Sequence, residues 1–582
     1  MTLACTGIGI GVTRSIAIGE VWCIECGHTK AHKRMITTDE VTDETARFQQ
    51  AVAAASQELK GVRDQIPAST PTDISSFIDT HLLMLEDAAL VDASIEAIQE
   101  HLFGAEWALQ LRRDALIEVF DAMEDPYLRT RKDDVDHVVN LIQKHLQPAQ
   151  DCATTNGEDL KGKIILAQDL TPADTILMRN QDIAAFITEY GSPLSHTAIL
   201  ARSLGIPAIV GAHKATQHLQ HGELLIIDAE QGVILANPDE RTLKHYQSRL
   251  NAELAHTASL NRLIDEPSVS IDGINISLMT NIELPEDIKA TNDVKAAGVG
   301  LYRTEFLYMN RTAPPNEEEH LESYRKIIEG LDGIPITIRT LDLGADKEAD
   351  GSCHTPKPAS NPALGLRAIR LCLKEPELFR PQLRAILRAS SFGSVRILIP
   401  MLSSLQELHT VQSIIEETKR DLKRQGLDFN PQIPVGGMIE VPAAALAADS
   451  FAKRLDFLSI GTNDLIQYTL AIDRVDDEVN YLYDPMHPSI LRLIQHTIQA
   501  GHTAGIPVSM CGEMAGSQLY IPLLLGLGLR EFSMRPGAVL EAKDIVRASD
   551  ISQLSSRVCD LMARIDDEDA TLLLSGLTCT TH

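Results

Sequence analysis

The sequence predicts a multidomain α/β protein: a small α/β domain interrupted by an inserted helical bundle, then a C-terminal (β/α)8 barrel. Three observations carry this. The chain has 582 residues, more than one ordinary core accommodates. From Thr38 to about Gln147, apolar residues recur at three- and four-residue spacing, as at Phe77, Leu82 and Leu85 beside His81, with little glycine. Beyond residue 266, short β-rich runs alternate regularly with helical stretches.

Composition narrows the class. Hydrophobic residues make up 44% and charged residues 23%, as in ordinary globular protein. There is no apolar run of the roughly 18 residues needed to span a bilayer. Met1 to Val12 lacks the basic flank and long apolar core of a signal peptide, so the cytoplasm is the expected compartment. Nine scattered cysteines do not form a disulfide framework and are expected to be reduced. A net charge of −29 repels nucleic acid and anionic membranes and attracts a basic protein partner. An anionic substrate would need positive residues gathered locally against that field.

The elements follow in order. Residues 1–25 and 150–240 are assigned to the α/β domain, with a first strand at Ser15–Trp22. Further strands are expected at Ile164–Ala167, Ala184–Thr188, Ala208–Val210, Leu224–Asp228 and Val233–Ala236, and one helix at Ser195–Leu204, stopped by Gly205 and Pro207. If the strand at 15–22 joins this sheet, residues 26–149 are an insertion, read as about four helices in two αα-hairpins with Pro67, Pro71 and Pro126 near the breaks. Residues 241–265 read as a linker helix. The barrel, 266–582, has strands at Ile276–Thr280, Val299–Arg303, Ile336–Thr340, Val395–Pro400, Gly437–Val441, Phe457–Ile460, Val508–Cys511 and Glu531–Met534. A doubly wound open sheet is the competing arrangement for this region.

In a (β/α)8 barrel, chemistry sits where strands end at the C-terminal face. Those ends read Tyr302-Arg303-Thr304-Glu305, Arg339-Thr-Leu-Asp342, Met438-Ile-Glu440, Gly461-Thr-Asn463-Asp464 and Met510-Cys511-Gly512-Glu513, with Arg367 and Arg474 in the connections. Guanidinium groups bind phosphate and carboxylate through paired hydrogen bonds. Paired carboxylates near a phosphate call for a divalent cation, and Mg²⁺ suits oxygen ligands. An anion bearing both phosphate and carboxylate fits this set. Any one of these residues alone reads as a surface ion pair or an inert thiol; their convergence on one face is the signal.

A second signal is Gly191-Ser-Pro-Leu-Ser195-His196-Thr197-Ala-Ile-Leu-Ala-Arg202. His196 opens a predicted helix, whose free N–H groups and dipole favour an attached phosphate. Neutral imidazole is a good nucleophile, and Ser195, Thr197 and Thr171 supply orienting hydroxyls.

With these segments, nearly the whole chain resembles Enzyme I of the bacterial phosphotransferase system. The resemblance rests on Ser195–Ser203, Gly300–Met309, Arg339–Gly344, Asn361–Arg370, Gly437–Ala443, Ser459–Tyr468 and Ser509–Gly516. It implies that His196 is phosphorylated from phosphoenolpyruvate and that Arg303 and Arg339 hold the phosphoryl group. It implies that Glu440 and Asp464 ligate Mg²⁺, and that Asn463, Asp464 and Arg474 contact substrate while Arg367 positions it. Cys511 would protonate the enolate released. The resemblance further implies that the helical insert, around His81–Asp87, docks the carrier protein HPr, that the α/β domain swivels between carrier and barrel, and that the barrel forms a homodimer. The sequence departs from the family where Gly191-Ser-Pro-Leu replaces Gly-Gly-Arg-Thr, Gly344-Ala-Asp-Lys replaces Gly-Gly-Asp-Lys, Gly365-Leu-Arg replaces Gly-Trp-Arg, and Arg535-Pro stands where Ser-Ala is usual.

Other signals carry less. Gly7-Ile-Gly-Ile-Gly11 lacks dinucleotide spacing, and Cys23, Cys26, His28 and His32 are a weak zinc pattern. ATP-linked relatives share the domains but need a large nucleotide-binding domain. A non-catalytic regulator would be expected to lack Arg303, Glu440, Asp464 or Cys511, and all four are present. A nitrogen-regulatory paralogue feeding another carrier remains the alternative; such paralogues often carry an N-terminal sensory domain, which does not fit before residue 20.

Overall fold

The computed structural model describes residues 3–10, 15–24, 33–65, 80–121, 126–146, 160–168, 183–189, 201, 206–285, 287–308, 313–343, 362–473, 479–566, 573–574 and 576–577. They fall into two compact units, Met1–His256 and Thr257–His582.

The first unit holds an eight-stranded sheet made of β1 (Leu3–Thr6), β2 (Ile8–Ile10), β3 (Ile16–Ile24), β4 (Ile164–Ala167), β5 (Ala185–Thr188), β6 (Ala208–Val210), β7 (Leu224–Asp228) and β8 (Val233–Ala236). Their order is β1-β8-β7-β3-β4-β5-β6-β2. β3 to β6 run parallel, while β7 pairs with β3, β8 with β7, β1 with β8 and β2 with β6, all antiparallel. Strand period 2 splits the apolar residues between two cores: Ile164 and Leu166 join Val21, Ile187 and Leu225 on one face, and Ile165 and Ala167 join Phe186 and Val210 on the other.

The predicted strands form, and two more appear in the glycine-rich start. β1 and β2 occupy opposite edges of the sheet yet are separated by Gly7 alone. Two residue steps span at most roughly 7 Å, so the sheet is rolled until its edges meet. Gly7 donates its N–H to the Gly232 carbonyl at 2.9 Å. A Cβ there would lie 2.6 Å from Ile209 Cγ2 and 2.9 Å from the Val210 oxygen, so only glycine fits this seam.

The insertion forms helices Val41–Gln65, Val91–His101, Ala105–Asp121 and Pro126–Leu146, packed through Phe48, Ile98, Leu109, Val139 and Ile142. Helix Glu240–Asn261 lays Tyr246 against Ile16 and Ile226 of the sheet.

The second unit closes β9 (Ser277–Ile282), β10 (Val299–Tyr302), β11 (Ile336–Arg339), β12 (Val395–Ile399), β13 (Val435–Ile439), β14 (Phe457–Ile460), β15 (Val508–Met510) and β16 (Glu531–Met534) into an all-parallel barrel, β16 pairing back to β9. The predicted eight strands are these, and the doubly wound alternative is excluded by closure. Side chains alternate as the pleat requires: Leu301, Leu398, Met438, Phe457 and Cys511 fill the interior, while Ile338, Ile397, Ile439 and Leu458 pack outward against helices. Among the described residues, no helix is long and apolar enough to cross a membrane.

Candidate active site

The C-terminal mouth of the barrel gathers charge as the strand ends predict, but most of it is already paired. Arg339, the last residue of β11, is 9% exposed. Its Nη2 donates to Glu305 Oε1 at 2.8 Å and its Nη1 lies 2.8 Å from Asp342 Oδ2. Asp342 is shared: its Oδ1 accepts from Arg367 Nη2 at 2.9 Å. Arg367 also donates to the Tyr468 hydroxyl at 3.1 Å and lies 3.9 Å from Asp464 Oδ2. Burial opposes both cations, yet the surrounding carboxylates win and hold both guanidinium pKa values above the ordinary range. The Nε atoms of Arg339 and Arg367 are buried without a hydrogen-bond partner. Two fixed cations with donors to spare suit an incoming anion.

Backbone hydrogen bonds lock this array from behind. Thr304 Oγ1 donates to the Arg339 carbonyl at 2.9 Å, and the Asp342 N–H donates to Glu305 Oε1 at 3.1 Å. Gln382 accepts from the Leu341 N–H at 2.9 Å and donates to Thr304 at 3.0 Å. Arg303, at the end of β10, is half-exposed and pairs with Glu283.

Glu440 follows β13 and is 1% exposed. Burial, with Asp464 and Asp342 adding to it, pushes its pKa well above the carboxylate range, against the pull of Arg339 and of the Met401 amide. Met401 sits in the left-handed region at φ 57, a sparsely populated conformation for a side-chain-bearing residue. Its N–H reaches Glu440 Oε1 at 2.6 Å. A Cβ on Gly461 would stand 2.9 Å from Glu440 Oε2, so glycine keeps that oxygen clear. An all-oxygen pair, Glu440 and Asp464, whose charges oppose one another, fits a hard divalent cation such as Mg²⁺.

Cys511 directly follows β15 and is 5% exposed, inside the barrel. Ser459 Oγ donates to its Sγ at 3.4 Å, and the thiol faces the Ile460 carbonyl at 3.7 Å. Burial raises the thiol pKa, with Glu440 adding, while Ser459, Arg339 and Arg303 pull the other way. The thiol therefore stays protonated at neutral pH. Asn463, in the first turn of helix Thr462–Leu470, exchanges two bonds with Glu513: Nδ2 to Oε1 at 2.9 Å, and the Glu513 N–H to Oδ1 at 3.0 Å. That pairing ties the mouth of β14 to that of β15. Asn281 of β9 donates to the Cys511 carbonyl at 3.1 Å and accepts from Ser533 at 2.6 Å, tying in the ninth and sixteenth strands.

Arg303, Arg339, Arg367, Glu440, Asn463, Asp464 and Cys511 thus share one barrel mouth, as expected. Thr171, Ser195, His196 and Arg474 lie outside the described residues, as do Cys26, His28 and His32. The sequence reading gave no role to Glu305, Asp342, Ser459, Asn281 or Tyr468. Glu305 and Asp342 stand within three residues of the arginines at strand ends, the same signal that found the arginines.

Comparison with known proteins decides the family. The PEP-utilising enzyme descriptions match as an N-terminal domain at residues 8–131, a mobile domain at 159–232 and a PEP-binding domain at 257–551. A phosphoenolpyruvate-protein phosphotransferase of Cupriavidus necator strain H16 is 41% identical over 98% of either chain. The chain belongs to the phosphoenolpyruvate-protein phosphotransferase family. Another member, from Bacillus subtilis strain 168, is 40% identical over 94% of either chain. A solution structure titled Enzyme I aligns with 43% of this chain and 98% of its own, at 27% identity and a TM-score of 0.35. The phosphotransferase family thus spans both units, and the barrel mouth lies within its PEP-binding region.

Proposed function

We propose that this phosphotransferase moves the phosphoryl group of phosphoenolpyruvate onto His196, releasing pyruvate, and passes it to a histidine of an HPr-like carrier. The observation that carries the reading is the array Glu305–Arg339–Asp342–Arg367 beside a buried, protonated Cys511 at one barrel mouth. Phosphoryl transfer is mostly positioning and charge neutralisation. Arg339 and Arg367 are fixed before substrate arrives, so little reorganisation is left for the reaction. Arg303, more exposed, is assigned to the phosphoryl oxygens, and Asn463 and Arg474 to the rest of the substrate. Glu440 and Asp464 would hold Mg²⁺, which supplies further positive charge toward phosphate and enolate oxygens when bound.

The step balances simply. A lone pair of neutral His196 forms the P–N bond as the bridging O–P bond breaks, leaving the enolate of pyruvate. Cys511 gives its thiol proton to the methylene carbon. The thiolate left behind faces the Ser459 hydroxyl and the positive field of Arg339 and Arg303. Thr171 and Ser195 are assigned to orienting His196. Docking of the carrier near His81–Asp87 is supported by Leu83, 68% exposed there, and a homodimer through the barrel by Leu446, Tyr481 and Leu519, all exposed. The scattered cysteines support a cytoplasmic setting.

The test uses labelled phosphoenolpyruvate, Mg²⁺ and purified carrier. Label should appear on His196 and then on the carrier, and His196→Ala should abolish both; label retained elsewhere in that variant refutes the acceptor. Because Glu440 must lose a proton to ligate a cation, Mg²⁺ should raise the barrel's Tm more at pH 8 than at pH 6. Glu440→Gln should remove that rise, and a rise that survives would exclude Glu440 as a ligand.

A further inference from the structure

Far along the chain from the barrel residues, the helical insertion buries three potential metal ligands together. His81 lies on a helical turn at 80–84, and Asp134 and His137 lie one turn apart on helix Pro126–Leu146. The three are 5%, 2% and 9% exposed. His81 Nε2 is 3.2 Å from Asp134 Oδ1, and the two imidazole rings meet edge-on with centroids 5.9 Å apart. One ligand-capable atom of each residue lies within 4.8 Å of the other two. We propose that His81, Asp134 and His137 form a site for a Zn²⁺-class transition-metal ion that cross-links two segments of the helical insertion.

The chemistry favours this ion over others. Two imidazole nitrogens and one carboxylate oxygen make a mixed donor set that suits Zn²⁺ or Co²⁺ and leaves a fourth position for water. Mg²⁺ prefers oxygen ligands and keeps its waters, so it is rejected here although it suits Glu440 and Asp464. Bonds of about 2.1 Å in a tetrahedral shell separate ligand atoms by roughly 3.4 Å. The cluster therefore needs to contract by little more than an ångström, a side-chain adjustment. Buried carboxylates are stabilised by an adjacent dication. The plain competitor is a His81–Asp134 hydrogen bond with a second imidazole packed against it, and the two readings differ in what they bind. The proposal does not depend on the phosphoryl-transfer reading.

The experiment takes the full chain, stripped with chelator, and titrates Co²⁺ and Zn²⁺. One Co²⁺ per chain should give visible d–d absorption without a thiolate charge-transfer band, and Zn²⁺ at about 100 times its Kd should raise an unfolding transition by about 5 °C or more. Mg²⁺ should do neither. His137→Gln and Asp134→Asn should each weaken Co²⁺ binding on the order of 100-fold, whereas Cys23→Ser with Cys26→Ser should not change it. A wild-type chain that takes up no Co²⁺ overturns the proposal, and so does a thiolate band, which would place the ion on cysteines. Undiminished binding in folded His137→Gln and Asp134→Asn variants overturns it as well; should either fail to fold, the wild-type spectrum still decides.

Discussion

Asp342→Asn isolates the feature on which the barrel mouth turns. Each Asp342 oxygen serves a different arginine, Oδ2 that of Arg339 at 2.8 Å and Oδ1 that of Arg367 at 2.9 Å. An asparagine has one acceptor and one NH2. Whichever way the amide turns, one guanidinium faces a donor. The side chain of Asp342 is 3% exposed, so water does not make up the loss. One charge-assisted bond is removed and the other weakened, which should destabilise the barrel by about 3 kcal/mol. The arginine left without its partner shifts toward Asp464 or Glu440. A displacement near 1 Å in a positioning group lowers turnover on the order of 100-fold. Denaturant unfolding gives the first number, and pyruvate–phosphoenolpyruvate exchange gives the second. A loss of stability below about 0.5 kcal/mol with normal exchange would refute the idea that this shared carboxylate sets both arginines. Tighter substrate binding with undiminished turnover would refute it differently, by showing that Asp342 merely competes with substrate for them.

Three further outcomes are expected. Cys511→Ala should slow pyruvate formation by about 100-fold or more while leaving the unfolding midpoint nearly unchanged; normal turnover removes the proton-donor role. Gly512→Ala should cost about 1–3 kcal/mol and most of the activity, because its Cβ would stand 1.9 Å from Thr462 Oγ1 and force β15 away from the helix that carries Asn463 and Asp464; a fully active, stable variant would show that the approach is slack. Burial raises the thiols of Cys372 and Cys511, so the folded barrel keeps protons that the unfolded chain has released above about pH 8.5. Their contribution is complete below that pH and is lost as pH rises, at up to about 1.4 kcal/mol per pH unit for each thiol. Cys372→Ala should shallow that alkaline decline, and an unchanged slope would assign it to other groups.

The barrel was legible because its strands are short apolar runs flanked by helical periodicity, and all eight fall within two residues of their expected positions. Its mouth was legible because arginines and acids cluster where strands end. What the linear sequence did not reveal was who pairs with whom. Asp342 follows Arg339 by three residues, which suggests one ion pair, yet it also holds Arg367, twenty-five residues on, across the loop before a helix. Glu305 stands in the charged end of β10's segment without a partner assigned to it, and it braces Arg339 of the neighbouring strand. Ser459 reads as an unremarkable strand residue until the inward pleat sets it beside Cys511. Strands β1 and β2 were missed because each is only three or four residues long, with Gly7 between them and Gly9 inside β2, so their local preference for strand is weak. Pairing with β8 and β6 overrides that preference.

That pairing makes the opening residues of the chain a clasp. One glycine joins the two outermost ribbons of the first unit's sheet, and each ribbon covers the strand beside it, β1 on β8 and β2 on β6. Trimming residues 1–10 would bare β8 on one side and β6 on the other in a single stroke, inviting strand-to-strand self-association. An affinity tag replacing this stretch, as opposed to one added ahead of it, would be expected to yield aggregates even though the barrel is untouched.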